Sequence, residues 1–345
     1  MMLMRYIINL IFIFYFIFSF SAQNGGQYAF NVMNFHNSAR VSALGGYMCA
    51  VIDDDPSIAI LQPSNLNPDH HGKLVLNYVN YFSDTEYGFF SYAHQHQTRG
   101  LFTASVVYAN YGTFDYSDAA GVFNGSTFSA NDVMFQLGHS KSISDKLHIG
   151  ANLKLVSSFF ETYQNYAVGT DFSATYFNKE KEVGYGLILK NLGVHLNSIV
   201  SDSKTFLLPF SIDLGLNKKL KHAPFRFHLT YHDLQTWNIS QVNPGSSVSF
   251  GRTFFNHLVV GSELLFTNNF NFRFGYNFQN RFELQPNSRP GTTGISWGVS
   301  FKLKKLKINY TNAKYHFSGT SNHLTVVSTI NKGKKVDDYY RQHPN

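Results

Sequence analysis

From Leu74 onward apolar and polar residues alternate along this chain. In FNFRFGYNFQN the rings of Phe270, Phe272, Phe274, Tyr276 and Phe278 share one face, and Asn271, Arg273, Gly275, Asn277 and Gln279 share the other. Side chains on a strand point to opposite faces in turn, so a period of two predicts a strand with one apolar and one polar or small surface. Leu147 to Leu155, Phe225 to Tyr231 and Ile295 to Leu303 repeat the pattern, each interleaved with residues such as His148, Asn152, Arg226, His228, Ser296 and Lys302. Such segments predict about fourteen strands of about ten residues between Lys73 and Asn331, the length that crosses a bilayer at a tilt.

The connections alternate too. Ser144-Asp145, Asn178 to Glu182, His222 to Pro224, Asn268-Asn269 and Lys304-Lys305 read as short turns, whereas Asp115 to Asn131, Gly193 to Pro209, Gln235 to Asn256 and Arg281 to Gly294 read as long polar links. Short turns at one end and long loops at the other predict an all-β, transmembrane antiparallel barrel, with short turns periplasmic and long loops outside. The apolar faces then meet lipid, and Lys154, Asp171, Asp213, Arg226, Glu263, Arg273 and Lys302 fall on the lumen side by phase.

Composition strengthens this picture. The chain holds 34 Phe and 21 Tyr, with 17% aromatic and only 14% charged residues, more rings than a water-soluble domain hides with ease. It opens MMLMRYIINLIFIFYFIFSFSAQ, where Arg5 precedes an apolar run and small residues, the pattern of a secretory signal peptide over 1–22, with cleavage after Ser21 or Ala22. Export argues against nucleic acid as the partner of the +7 net charge and favours anionic lipid or lipopolysaccharide. Cys49 is the single cysteine, so no intrachain disulfide is available.

Residues 23–72 precede the first strand and need a place inside the barrel, as a hatch or plug. There ARVSALGG predicts a short strand stopped by Gly45-Gly46. PSIAIL after Asp53-Asp54-Asp55 predicts a helical turn or two, with Asp55 as N-cap and Pro56 at the first helical position. Asp53 and Asp54 are then expected at the positive end of that turn, which needs no metal, and Pro63 and Pro68 are expected to end it. The barrel occupies 73–331 and a polar tail 332–345, whose Lys332, Lys334 and Lys335 suit anionic headgroups.

The stretch ALGGYMCAVIDDDPSIAILQPSNL resembles the N-terminal signature of FadL-like outer-membrane barrels, in particular the PorV/PorQ family of the type IX secretion system. Gly45, Gly46, Asp53, Asp54, Asp55 and Pro63 match its Ala-Leu-Gly-Gly, Asp-Asp and Asn-Pro-Ala elements. Gln62-Pro63-Ser64 departs from the last. GGQYAFNVMN, KLVLNYVNYFSD, LPFSIDLGLNKKLKHAPFRFHLTYHDLQTW and RFGYNFQNRFEL extend the resemblance over most of the chain. It implies a fourteen-stranded barrel with a hatch, without catalytic residues or cofactor, in protein export and surface attachment of Bacteroidota-type bacteria. The implied partners are a PorZ-like surface protein first, then the PorU sortase-like protease and the PorV barrel. The alternative reading of the same fold is a FadL-like channel for hydrophobic small molecules.

Other chemistry is weaker. Ser201-Asp202-Ser203-Lys204 has the S-x-x-K form but lies in a loop without partner motifs. His94 and His96 share a strand face at a spacing that suits zinc, but no third ligand is identifiable. Trp237, Phe250 and Phe254 among Gly, Ser and Asn are candidates for a partner-binding loop, as are Tyr116, Phe123 and Phe128, because rings bury much area at small entropic cost.

Overall fold

The fold is that of a computed structural model describing residues 29–35, 38–117, 121–196, 208–240, 248–284, 291–316 and 319–330. The signal segment, Ser201 to Lys204 and the lysine-rich tail lie outside these residues. Fourteen antiparallel strands form one closed barrel: β1 (Lys73–Asn80), β2 (Glu86–His96), β3 (Gly100–Ser117), β4 (Phe123–Ser142), β5 (Leu147–Phe160), β6 (Tyr163–Asn178), β7 (Val183–His195), β8 (Ser211–Lys219), β9 (Phe225–Tyr231), β10 (Leu258–Leu264), β11 (Phe270–Asn277), β12 (Ile295–Leu303), β13 (Leu306–His316) and β14 (Gly319–Thr329). Each pairs with its sequence neighbour. Closure comes from β1 on β14, with Lys73 opposite Thr329 and Asn80 opposite Asn322.

The alternation of the sequence is the inside and outside of this wall. Leu76, Tyr78, Leu153, Leu155, Phe225, Phe227, Trp297 and Phe301 are exposed on the outer face. Asn77, Asn152, Lys154, His228, Thr230 and Ser300 are buried inside. Residues 97–99, 143–146, 179–182, 220–224, 265–269 and 304–305 are the tight connections at one end, which we take as periplasmic.

Strand length departs from a uniform ten. β3 and β4 run to 18 and 20 residues, so Tyr116, Phe123 and Phe128 belong to strands and not to a loop. The cause lies in the side-chain ladder: Phe128 sits between Phe114 and Phe160, with ring centroids 5.4 and 5.1 Å away, which rewards continued pairing beyond the bilayer. Conversely β11 stops at Asn277. The Asn277 side chain accepts from the Asn280 amide and starts helix α3 (Phe278–Glu283), so Phe278 leaves the alternating face.

Before β1, residues 29–35 and 38–72 lie in the lumen. ARVSALGG is a helix, α1 (Ala39–Ala43), not a strand. No strand edge is free to pair with it, so its backbone groups are satisfied within a turn and by the wall. Ala39 N donates to Thr325 Oγ1 at 2.9 Å, and Ser296 Oγ donates to Ala43 O at 3.0 Å. Gly45 and Gly46 end the helix at φ 92° and 93°, a conformation open to glycine. Val41, Leu44, Met48, Val51 and Ile58 form the hatch's own small core. Lumenal small residues let the hatch lie on the wall: a Cβ at Gly275 would strike the backbone of Leu44 and Gly45.

That approach generates a test. Gly275→Val is expected to leave wall pairing intact, read as the usual heat-modifiable migration on gels, while freeing the hatch for limited proteolysis between 38 and 72. A variant hatch as protected as the native one would show that backbone contact at Gly275 does not seat it.

Candidate functional site

Three successive aspartates fix the hatch. Asp55 caps the turn at Pro56–Ile58, accepting from Ser57 N at 3.1 Å, as the sequence suggests. Asp53 and Asp54 are not held by a helix dipole, since the turn is three residues long. Cations hold them instead. Arg40 of α1 grips Asp53 with both terminal nitrogens at 2.9 and 2.7 Å, and turns its other edge to Glu263 of β10 at 3.1 and 2.8 Å. Glu263, fully buried, also meets Arg273 Nε at 2.9 Å, Arg226 Nη1 at 3.3 Å and His228 Nε2 at 2.9 Å. Arg226 reaches Asp53 at 2.9 Å. Asp54 meets Lys302 at 2.8 Å and Lys307 at 3.5 Å, and its carbonyl accepts from Lys73 Nζ. Lys307 also meets Asp55 at 3.2 Å.

The arrangement is a two-sided ionic clamp near the short-turn end, hatch carboxylates against wall cations and one hatch arginine against a wall carboxylate. Burial alone would raise the Asp53 carboxyl, but the Arg40 guanidinium, with Arg226 and Lys307, outweighs it and holds Asp53 well below the usual carboxylate range. Asp55 is also lowered, by Lys307 and Arg40 against its burial. Asp53 and Asp55 are therefore ionised at neutral pH.

Further along, Pro63 and Pro68 each begin a new turn, Pro63–Asn65 and Pro68–His70, and do not simply end the preceding one. Ser64 N donates to Ser173 Oγ at 2.8 Å and Gln62 Nε2 to Thr175 Oγ1 at 3.0 Å, stitching the hatch to β6. Gln62, where the family signature has asparagine, is thus a wall contact. Cys49 is buried beside Gly215, and burial pushes its thiol up.

Lys154, Asp171 and Asp213, placed on the lumen side by phase, are buried inside the wall, and the structure adds their pairings: Lys154 with Asp171 at 2.8 Å, and Asp213 with Lys190, which phase did not single out, at 2.6 Å. His94 and His96 do not converge on a metal. His96 Nδ1 accepts from the Thr98 and Arg99 amides, closing a turn, and no group of three metal-ligating side chains occurs among the described residues. Trp237, Phe250 and Phe254 lie at the end opposite the clamp. Phe250 opens helix α2 (Phe250–Asn256) and is 73% exposed, its ring 5.2 Å from Trp237; Phe254 packs on Tyr231 of the wall at 5.5 Å.

At the same end, between hatch and wall, lies a pocket of ≈370 Å³ that the strand pattern alone did not disclose. Phe30 and Phe35 come from the hatch; Tyr81, Tyr111, Asp132 and Phe159 come from β1 to β5 and their connections. Phe30 holds a left-handed backbone, φ 60°, and its ring packs on His195 at 5.1 Å. A cleft of this size, lined by aromatic rings with Asn31, Ser83, Thr85, Asp132 and Ser158 among them, has the form of a small-molecule site. The signal for it lay in GGQYAFNVMNF, where rings sit in a segment too short to carry a core of its own.

No family model matches the sequence, and no curated protein matches it. Solved structures do resemble the fold. The toluene transporter TbuX of Ralstonia pickettii aligns over 87% of this chain and 98% of its own, with a TM-score of 0.52 and 13% identity. The toluene transporter TodX of Pseudomonas putida aligns over 86% and 97%, with a TM-score of 0.52 and 14% identity. A FadL homologue of Pseudomonas aeruginosa gives 86% and 98%, TM-score 0.50 and 9% identity. The fold is thus that of the FadL-like barrels. These likenesses carry nothing on type IX secretion.

Two outcomes follow from the clamp. Glu263→Gln leaves Arg40, Arg226 and Arg273 short of one buried carboxylate, a change expected to cost about 3–5 kcal/mol of hatch docking. Hydrogen exchange should rise in 39–60 more than in the wall, and the added change Arg273→Met should recover part of the protection. Unchanged exchange in 39–60 would mean that the clamp does not seat the hatch.

His70 sets the second. Burial, aided by Lys73, lowers it to about 4 from 6.5 against its contact with the Asp53 carbonyl at 2.9 Å. A lowered group stabilises docking above pH 6.5 and loses that contribution as pH falls through about 4, because the released hatch binds a proton that the docked one does not. The difference is up to ~3 kcal/mol. Rate-corrected exchange in 60–72 should therefore rise between pH 6.5 and 4, and His70→Asn should flatten the rise. An equal rise in that variant would assign it to another group.

Proposed function

We propose that this protein is a non-enzymatic outer-membrane barrel that takes a small apolar molecule into the aromatic pocket at its outer mouth, the first step of uptake past a movable hatch. The pocket of ≈370 Å³ between Phe30, Phe35, Tyr111 and Phe159 carries the reading. Its support from outside is the fold, shared with two toluene transporters and a FadL homologue. A closed lumen fits such a channel at rest, because an open passage would leak; transport then needs the hatch to leave the clamp.

A second reading has its own observation. The signature around Gly45, Gly46, Asp53, Asp54 and Asp55 resembles the PorV/PorQ family, and Trp237, Phe250 and Phe254 gather exposed rings at the rim opposite the short turns. Here the barrel is a type IX secretion component that docks a PorZ-like surface protein in a complex with PorU and PorV, with lipopolysaccharide as neighbour. The ionic clamp then serves as a permanent seal.

Ligand binding and pull-down from outer membranes separate the two. On the uptake reading the detergent-purified barrel binds ethylbenzene, and Phe35→Asp weakens binding at least fivefold by placing a charge in the pocket. Absence of binding, with recovery of a large surface β-protein that is lost when 235–256 is replaced by a Gly-Ser turn, would overturn uptake and favour docking.

A further inference from the structure

At the short-turn end, the corner between β12 and β13 carries more positive charge than its own carboxylates balance. Lys302 and Lys307 lie opposite each other in the β12–β13 register, a like-charged pair that costs stability unless an anion stands between them. Asp54 of the hatch is that anion, and it is shared. Lys302 and Lys307 meet its carboxylate at 2.8 and 3.5 Å, and Lys73 donates to its carbonyl. Beyond them Lys304 and Lys305 form the two-residue turn. Both are exposed, and among the described residues the side chain of neither makes an ion pair or a hydrogen bond.

Turn chemistry does not ask for these lysines. Lys304 holds a left-handed backbone, φ 50°, where Gly or Asn is the less strained choice. The turn at 179–182 interleaves lysine with glutamate, and Glu182 pairs with Lys219 at 3.8 Å, whereas 304–305 has no carboxylate of its own. The lysines gather around a cleft of ≈60 Å³ whose one carboxylate is Asp54, with room for a few waters or one compact oxyanion. The outer wall fixes the depth of this cleft. Phe266, Phe270 and Phe301 lie in a row with ring centroids 5.7 and 5.0 Å apart, and Leu303 and Leu306 are exposed at the base of the turn. Rings in such a band mark the edge of the hydrocarbon, so the lysines just past them lie at headgroup level.

We propose that Lys304 and Lys305, with the half-exposed Lys302 beside them, hold the phosphate of an anionic phospholipid from the leaflet around the short-turn end. Lys73 and Lys307 are engaged by the hatch aspartates and add their field from behind. The phosphate supplies the negative charge that Asp54 alone does not, and the acyl chains lie along Phe301, Leu303 and Leu306. A free phosphate shares the head chemistry but gains nothing from that apolar wall, which favours the lipid. The site stands apart from the mouth pocket and does not depend on which functional reading holds.

The test uses the full-length barrel in detergent micelles doped with equal mole fractions of dioleoyl phosphatidylglycerol or dioleoyl phosphatidylcholine, with bound lipid counted by native mass spectrometry. The anionic lipid is expected to be retained about fivefold more than the zwitterionic one, the gain that a single lysine near an anionic surface brings, or better. Lys304→Gln with Lys305→Gln should remove most of that preference. Lys146→Gln with Lys221→Gln, at two other short turns, should leave it unchanged. Lys304→Asn, which suits the turn backbone, should lose part of the preference even where the first double variant does not assemble. Equal loss in both double variants would reduce the effect to net charge and overturn the site. Equal retention of the two lipids by the native barrel would overturn it too and leave the lysines to a protein partner. Displacement of the lipid by millimolar inorganic phosphate would assign the cleft to a free anion and overturn the lipid.

Discussion

A sheet inside a bilayer has no water to satisfy an open edge, and this constraint governs the rest of the molecule. Closure of β1 on β14 removes the edge. It also encloses a volume that the short lumenal side chains do not fill, because many positions are Gly, Ser, Thr or Asn. The N-terminal segment must then enter the lumen, and its irregular backbone needs partners there. The wall supplies them side chain by side chain: Thr325 and Thr311 for Ala39, Ser296 for Ala43 and Gly45, Gln136 and Asn152 for Ile60, Ser173 for Ser64. What reads as a weakly hydrophobic inner face is a docking surface for the chain's own hatch.

The charges serve the same enclosure at one end. Arg40, Asp53 and Glu263 lie where the hatch crosses the lumen near the short turns; two bonds join Arg40 to Glu263 across the boundary, and Asp53, gripped by Arg40, reaches the wall through Arg226. A buried ion network of this kind stabilises little beyond an apolar filling of equal volume, but it fixes one register and resists partial withdrawal, since any half-broken state strands a charge. The hatch is thereby either seated or released, with few intermediate positions. Both functional readings draw on that property, as a gate in one and a seal in the other.

At the other end hatch and wall meet through rings and not through ion pairs. Phe30 and Phe35 of the hatch lie there, the strands from β3 to β6 are the longest of the wall, and the gap between them is lined by rings with Asn31, Ser83, Thr85, Ser158 and one carboxyl. The ionic clamp and the aromatic-lined pocket thus sit at opposite ends of one plugged lumen. The glycine contacts at Gly275 and Gly215 keep the middle closed between them.

The period-two pattern by itself determined the barrel, its strand number and the inward phase of Arg226, Glu263 and Arg273, because lipid outside and polar lumen inside impose opposite demands on adjacent residues. The cap at Asp55 and the stop at Gly45-Gly46 were also local, written in backbone preference. Tertiary structure alone decided what local pattern leaves free. ARVSA alternates well enough for a strand, yet with no edge to pair it coils into α1. Asp53 and Asp54 suit a helix start, yet their partners, Arg40, Arg226 and Lys302, stand 13, 173 and 248 residues away. Phe123 and Phe128 look like loop rings until cross-strand stacking extends β4. The pocket beside Asp132 has no local signature, since it is the space left where the hatch, β1 to β5 and their connections meet.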